Sequence, residues 1–168
     1  MSNQNQGATT STTTTAVPID VIIAEQLEQV DKLRVSIDAV LQAVTDTRLD
    51  NGRPALTLVA VESGLIMGKA WLGKLKGELG AGSPYSEGKK TVADIEPTAE
   101  TAESPARVEG TYIEQLSGYR DAIQAIIDEV QAMDVRVSRD AAASRTNAWT
   151  KLCEAKMAVG FEFSRLRG

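Results

Sequence analysis

Leu58, Val61, Leu65, Gly68, Leu72, Leu75 and Leu79 follow one another at alternating spacings of three and four residues. That is the period of a helix with one face packed on a neighbour. The pattern returns later in the chain. KAWLGKLKGEL, Lys69 to Leu79, aligns with KMAVGFEFSRL, Lys156 to Leu166, at an offset of 87, matching Lys69 with Lys156 and Gly73 with Gly160. At the same offset Val61, Leu65, Gly68 and Leu72 align with Ala148, Leu152, Ala155 and Val159. Upstream, Glu28, Gln29, Val30 and Arg34 align with Glu114, Gln115, Leu116 and Arg120 at an offset of 86. Leu33, Ile37, Val40 and Val44 fall in the same way on Tyr119, Ile123, Ile126 and Val130. The one-residue change of offset falls in the connecting turns, where changes of length are tolerated. Heptad helices can align by chance on apolar positions alone. The shared Glu-Gln, Arg and Lys-x-x-x-Gly positions favour duplication of a helical hairpin.

One hairpin cannot bury a two-sided seam, whereas two in one chain can. The expected fold is therefore all-α, with two tandem helical hairpins packed as a four-helix bundle. Symmetric seams further suggest a symmetric homo-oligomer. The expected helices cover about Pro18–Val44, Pro54–Leu79, Thr111–Met133 and Arg139–Arg165. Asn51-Gly52 and Pro54 break the first pair, and Gly80 and Gly82 stop the second helix. The expected organisation is a polar, low-complexity tail over 1–17, a first hairpin over 18–80, a linker over 81–110 and a second hairpin over 111–168. The linker is rich in Gly, Ser, Pro and Glu.

Composition narrows the chemistry. The 168 residues include no histidine, which excludes His-based triads and His-ligated zinc. The single cysteine, Cys153, cannot form an internal disulfide and reads as a core thiol on an apolar helical face. No phosphate-binding Gly-rich loop, nucleophile elbow or clustered metal-ligand motif is present. The chain therefore reads as a non-enzyme without a cofactor. A net charge of −5 disfavours duplex nucleic acid. The N-terminus has neither the basic nor the apolar region of a signal peptide, and no membrane span is expected. A cytoplasmic protein is the expectation.

The charge is unevenly spread. Residues 53–90 carry six bases against three acids, and residues 141–168 five against two, whereas residues 19–50 carry three against seven. Charge complementarity between neighbouring helices accounts for this equally well. The alternative is a small anion site built on the basic helices. Arg53, Lys69, Lys74, Arg145 and Lys156 are its candidate cations. Trp71 would stack on a base beside Lys69 and Lys74, although a lone tryptophan is more often core or interface.

The segment ESGLIMGKAWLGKLKGELG, from Glu62 to Gly80, resembles the second helix of a phage hairpin family. That family includes the anti-CBASS and Thoeris anti-defence sponge proteins. LCEAKMAVGFEF, Leu152 to Phe163, looks like the same helix. SGYRDAIQAIIDEV, Ser117 to Val130, is similar to the Ser-Gly-Tyr-Arg opening of the anti-CBASS members. The resemblance covers about residues 53–80 and 117–166. It implies sequestration of a cyclic oligonucleotide or cyclic ADP-ribose-type immune signal, without cleavage, in the host bacterial cytoplasm. It implies ligand pockets between subunits of a helical oligomer, with Tyr119 covering a base and Arg120 nearby. The family unit is usually one hairpin, so a duplicated chain suggests a trimer in place of a hexamer. The competing expectation is a structural or adaptor helical bundle with no small ligand.

Overall fold

The computed structural model describes residues 18–50, 56–81, 110–135 and 137–167. The tail over 1–17, nearly all of the 81–110 linker, the Asn51-Gly52 turn and Arg53 lie outside these residues. The described residues form four α-helices and no strand: α1 (Ile19–Asp50), α2 (Leu56–Lys76), α3 (Tyr112–Ala132) and α4 (Arg139–Arg167).

Helix α1 runs past Val44 to Asp50. The stretch TDTRLD contains neither Gly nor Pro, so nothing in it stops a helix. Arg48 in the last turn suits the negative end of the dipole, and its Nε donates to Glu62 Oε1 on α2 at 2.7 Å. Helix α2 ends in one π-helical turn, Gly77–Ala81, in which Gly80 takes φ 98°, a conformation that glycine adopts without strain. Helix α3 opens on a capping box. Thr111 Oγ1 accepts from the Glu114 backbone N–H, and the Thr111 N–H donates back to Glu114 Oε2 at 2.6 Å. At the start of α4, the Ala141 N–H donates to Ser138 Oγ at 3.0 Å.

The helices form a ring in the order α1, α2, α4, α3, each antiparallel to its neighbours. Cross-helix contacts fix the directions. Lys76 reaches Asp31 and Lys69 reaches Asp38 across the first hairpin. Tyr112 reaches Glu162 and Arg145 reaches the Met133 carbonyl across the second. The Tyr119 hydroxyl on α3 donates to the Ala43 carbonyl on α1 at 3.0 Å. The seam residues identified from periodicity fill the centre: Val30, Leu33, Ile37, Leu58, Val61, Leu65, Leu72, Leu116, Ile123, Leu152 and Val159 are all buried.

The closest pairing is α2 on α4. A β-carbon built on Gly64 would lie 2.8 Å from Ala155 Cβ, and one on Gly68 would lie 3.0 Å from Leu152. Both glycines let the two central helices approach. Helix α2 with its π turn, Leu56–Gly80, is also long and apolar enough to cross a membrane by length and composition. Here it packs against α1 and α4, and Leu58, Val61, Leu65, Leu72 and Leu75 are fully buried within the chain. That is the position of a core helix.

The internal repeat is visible in the contacts. Lys69 donates to Asp38, and the equivalent Lys156 donates to Gln124, the equivalent of Asp38. Elsewhere the copies have diverged. Thr57 Oγ1 on α2 donates to Glu162 Oε2 on α4 at 2.7 Å. The repeat-equivalent pair is Ser144 and Leu75, both buried, and Ser144 Oγ has no partner among the described residues. A buried hydroxyl without a partner is destabilising, and alanine is the better helix former. Ser144→Ala is therefore expected to raise stability by about 1 kcal/mol, read as a higher thermal midpoint with unchanged helicity. A lower midpoint would mean that the hydroxyl is bonded in solution.

Candidate functional site

The outer face of the second hairpin carries a groove between α3 and α4. Its central part has a volume of about 650 Å³ and is lined by Arg120, Gln124, Ile127, Trp149, Lys156, Met157, Gly160 and Phe161, among others. One flank continues past Gln131 to Arg145 and Thr146. The other continues past Arg120 to Ser117, Glu114 and Ile113, where the Glu114 carboxylate is engaged by the Thr111 N–H and hydroxyl. From Ile113 to Gln131 the α3 wall is roughly 27 Å long at 1.5 Å per residue.

The α4 wall is built by a second stripe, separate from the core seam. Trp149, Cys153, Met157 and Phe161 recur every fourth residue, so they share one face of α4. The core seam of Ala148, Leu152, Ala155 and Val159 lies beside it and faces α2. Phe161 is 70% exposed and Met157 57%, large values for apolar side chains of this size. Gly160 sits between them, and a β-carbon there would meet nothing within 4 Å. Glycine inside a helix costs about 1 kcal/mol relative to alanine, and no contact among the described residues requires it here. Its absent side chain leaves the groove open.

Among the described residues, two cations and no carboxylate line the central groove, in a chain that carries 23 acids. Arg120 is exposed. Lys156 Nζ donates to Gln124 Oε1, while Gln124 Nε2 donates to Asp128 Oδ1 one turn on at 2.5 Å. The amide is thus held with its oxygen toward the lysine. At the end of the groove, Arg145 Nη1 donates to the Met133 carbonyl at 2.7 Å. Cys153 has its thiol pKa pushed up, by burial first, with Lys156 opposing. That disfavours the nucleophilic thiolate.

The structure gathers three of the expected site residues, Arg120, Arg145 and Lys156, along this groove. Others are elsewhere. Lys69 is 7% exposed and salt-bridged to Asp38 at 2.5 Å. Trp71 packs against the core, with Lys74 Nζ 4.9 Å from its ring centroid, and Lys74 also lies 3.7 Å from Glu78. These three belong to the first hairpin and do not reach the groove. Tyr119 is 3% exposed, and its hydroxyl lies 2.5 Å from Thr47 Oγ1. Its ring is a core element joining α3 to α1, not a surface on which a base could stack. Arg53 lies outside the described residues. Trp149, Phe161 and Gln124 are among the groove residues that are not sequence-predicted site residues. The four-residue recurrence from Trp149 to Phe161 was the signal available for them.

A second polar cluster closes one end of the bundle. Glu162 is 1% exposed and accepts from Thr57 Oγ1 at 2.7 Å, Tyr112 Oη at 3.1 Å and Arg165 Nε at 2.9 Å. The Arg165 hydrogen bond above all, with those from Thr57 and Tyr112, holds the carboxyl down at about 2 against the cost of burial. Burial and the facing carboxylate push the Tyr112 phenol up to about 12. With α2, α3 and α4 all joined to it, this cluster is a structural clamp. Among the described residues no group of three His, Cys, Asp or Glu side chains could hold a metal ion.

No family model, no curated protein and no solved structure matches this chain.

Proposed function

We propose that the protein is a sponge: it captures a small phosphorylated nucleotide-type ligand in the α3/α4 groove and withholds it from a receptor without cleaving it. One observation carries this reading. The groove combines Arg120 and Lys156 with Trp149 and Phe161, and among the described residues its central lining holds no carboxylate. Ammonium and guanidinium groups suit phosphate, and aromatic faces suit a base. A volume near 650 Å³ lies within the range of small-molecule sites. The cyclic oligonucleotide or cyclic ADP-ribose-type class, and a role in phage evasion of a bacterial defence signal, are proposed on the sequence resemblance alone. Assembly into a symmetric homo-oligomer, a trimer or hexamer, is part of the same proposal, and light scattering on the purified chain tests it.

Lys156→Glu and Trp149→Ala are both expected to weaken binding of such a ligand by about tenfold or more while leaving helicity unchanged. Titration calorimetry with a cyclic dinucleotide, a cyclic trinucleotide and a cyclic ADP-ribose isomer reads this directly. Unchanged affinity in both variants would move the ligand away from the groove.

The exposure of Phe161 and Met157 supports a second reading, an adaptor bundle whose α4 face is covered by a protein partner. An assembly that binds none of the three signals would favour it.

A further inference from the structure

The two hairpins place the same lysine at the same point and give it different partners. Lys69 faces a carboxylate, Asp38, whereas Lys156 faces an amide, Gln124. A carboxylate at 2.5 Å cancels the ammonium charge. An amide oxygen orients the ammonium and leaves its charge in place. The neighbouring positions diverge in the same sense. Where the second hairpin has Trp149 and Phe161, the first has Glu62 and Lys74, with Glu62 paired to Arg48 at 2.7 Å and Lys74 3.7 Å from Glu78. The first copy has turned its version of the groove into internal ion pairs.

We infer that the chain holds one anion site, in its second hairpin, and that position 124 decides it. Gln124 presents Lys156 to the groove with its charge uncancelled, and Asp38 removes the same charge from the first hairpin. The inference rests on the groove reading above and adds the number of sites and the residue that sets it. The ligand class is a phosphate-bearing molecule with a planar ring. Lys156 and Arg120 take the phosphate, and Trp149 and Phe161 take the ring.

Iodide and caesium quenching of Trp149 tests the charge without any nucleotide. Trp71→Phe leaves Trp149 as the sole tryptophan of the two in the chain. In that background at low salt, iodide is expected to quench about two- to threefold more strongly than caesium, because a positive groove concentrates anions. Adding Gln124→Asp should bring the two quenchers level without lowering the thermal midpoint, since Lys69 and Asp38 already form this pair in the sister hairpin. Gln124→Ala should keep the iodide preference. Calorimetry of the unmutated chain with cyclic di-AMP should give one site per chain, weakened about tenfold by Gln124→Asp. Iodide preference surviving Gln124→Asp, or two sites per chain, would overturn the inference and leave the sponge reading standing. Iodide preference with no binding of cyclic di-AMP, a cyclic trinucleotide or a cyclic ADP-ribose isomer would support the anion site and overturn the sponge reading. Equal quenching in the Trp71→Phe chain would overturn the anion site itself.

Discussion

Gly64→Leu is expected to abolish the cooperative fold, or to lower stability by at least about 3 kcal/mol. Even the first added carbon has no room. It would lie 2.8 Å from Ala155 Cβ and 3.0 Å from both the Ala155 nitrogen and the Lys151 carbonyl oxygen. Two of those three neighbours are backbone, so α4 as a whole must move away from α2. Gly64→Ala gains helix propensity of about 1 kcal/mol and still loses on balance, because the clash is with a neighbouring helix. Combining it with Ala155→Gly removes the methyl clash and leaves the two backbone contacts. A double-mutant cycle by urea unfolding should therefore show partial rescue. Gly68→Ala should cost less, because its nearest neighbours are the Leu152 Cδ2 and Cγ atoms, which can rotate aside. Equal tolerance at the two positions would mean that α2 and α4 are not packed as described.

Acid should weaken the protein through Glu162. Its pKa is lowered from the ordinary 4.5 to about 2, so the unfolded chain takes up this proton at a higher pH than the folded chain does. The stabilisation is fully present above about 4.5 and is lost as pH falls from there to about 2. Because Arg165 is largely solvated, the contribution is put at about 2 kcal/mol. Glu162→Ala should cost about 3 kcal/mol at neutral pH, because it strips the acceptor from the buried ends of Thr57 and Tyr112. Glu162→Gln retains an acceptor oxygen and should cost less, while flattening the stability profile between pH 4.5 and 2. Unfolding midpoints across that range, for the unmutated chain and Glu162→Gln, check the sign. An unchanged acid limb in the variant would mean that the clamp is not charged as described.

The bundle was legible because its seams are strict. Alternating spacings of three and four marked the buried residues of α2 and α3, and the repeat foretold that two hairpins would share a core. Where α1 ends was less legible, because TDTRLD is polar and leads into the Asn51-Gly52 break, yet the helix continues through it to Asp50. The Thr-x-x-Glu signal of the α3 capping box, Thr111 to Glu114, is present in the sequence. The candidate groove was legible only in part. Lys156 stands out through the repeat and the charge distribution, and Arg120 through the resemblance of the Ser-Gly-Tyr-Arg stretch. Lys69 stands out for the same reasons as Lys156, but a sequence does not show which carboxylate on the facing helix will meet an ammonium. Tyr119 sat on a seam, between Leu116 and Ile123, and that position outweighed its likeness to a binding residue. Trp149 and Phe161 lie one step off the seam, where a second stripe is hidden by the first.

The account turns on whether the groove captures a nucleotide signal. Titration calorimetry of the full chain against cyclic dinucleotides, cyclic trinucleotides and a cyclic ADP-ribose isomer, repeated with Gly160→Glu, tests that most directly. Gly160→Glu adds a charged side chain where a β-carbon meets nothing within 4 Å, so it blocks the groove without disturbing the core. The account predicts a dissociation constant on the order of nanomolar for one signal, near −12 kcal/mol, with the ligand recovered intact. It also predicts loss of that binding in a Gly160→Glu chain that melts no lower than the parent. No heat with any of the three from a cooperatively folded sample, or full binding retained by Gly160→Glu, would contradict it.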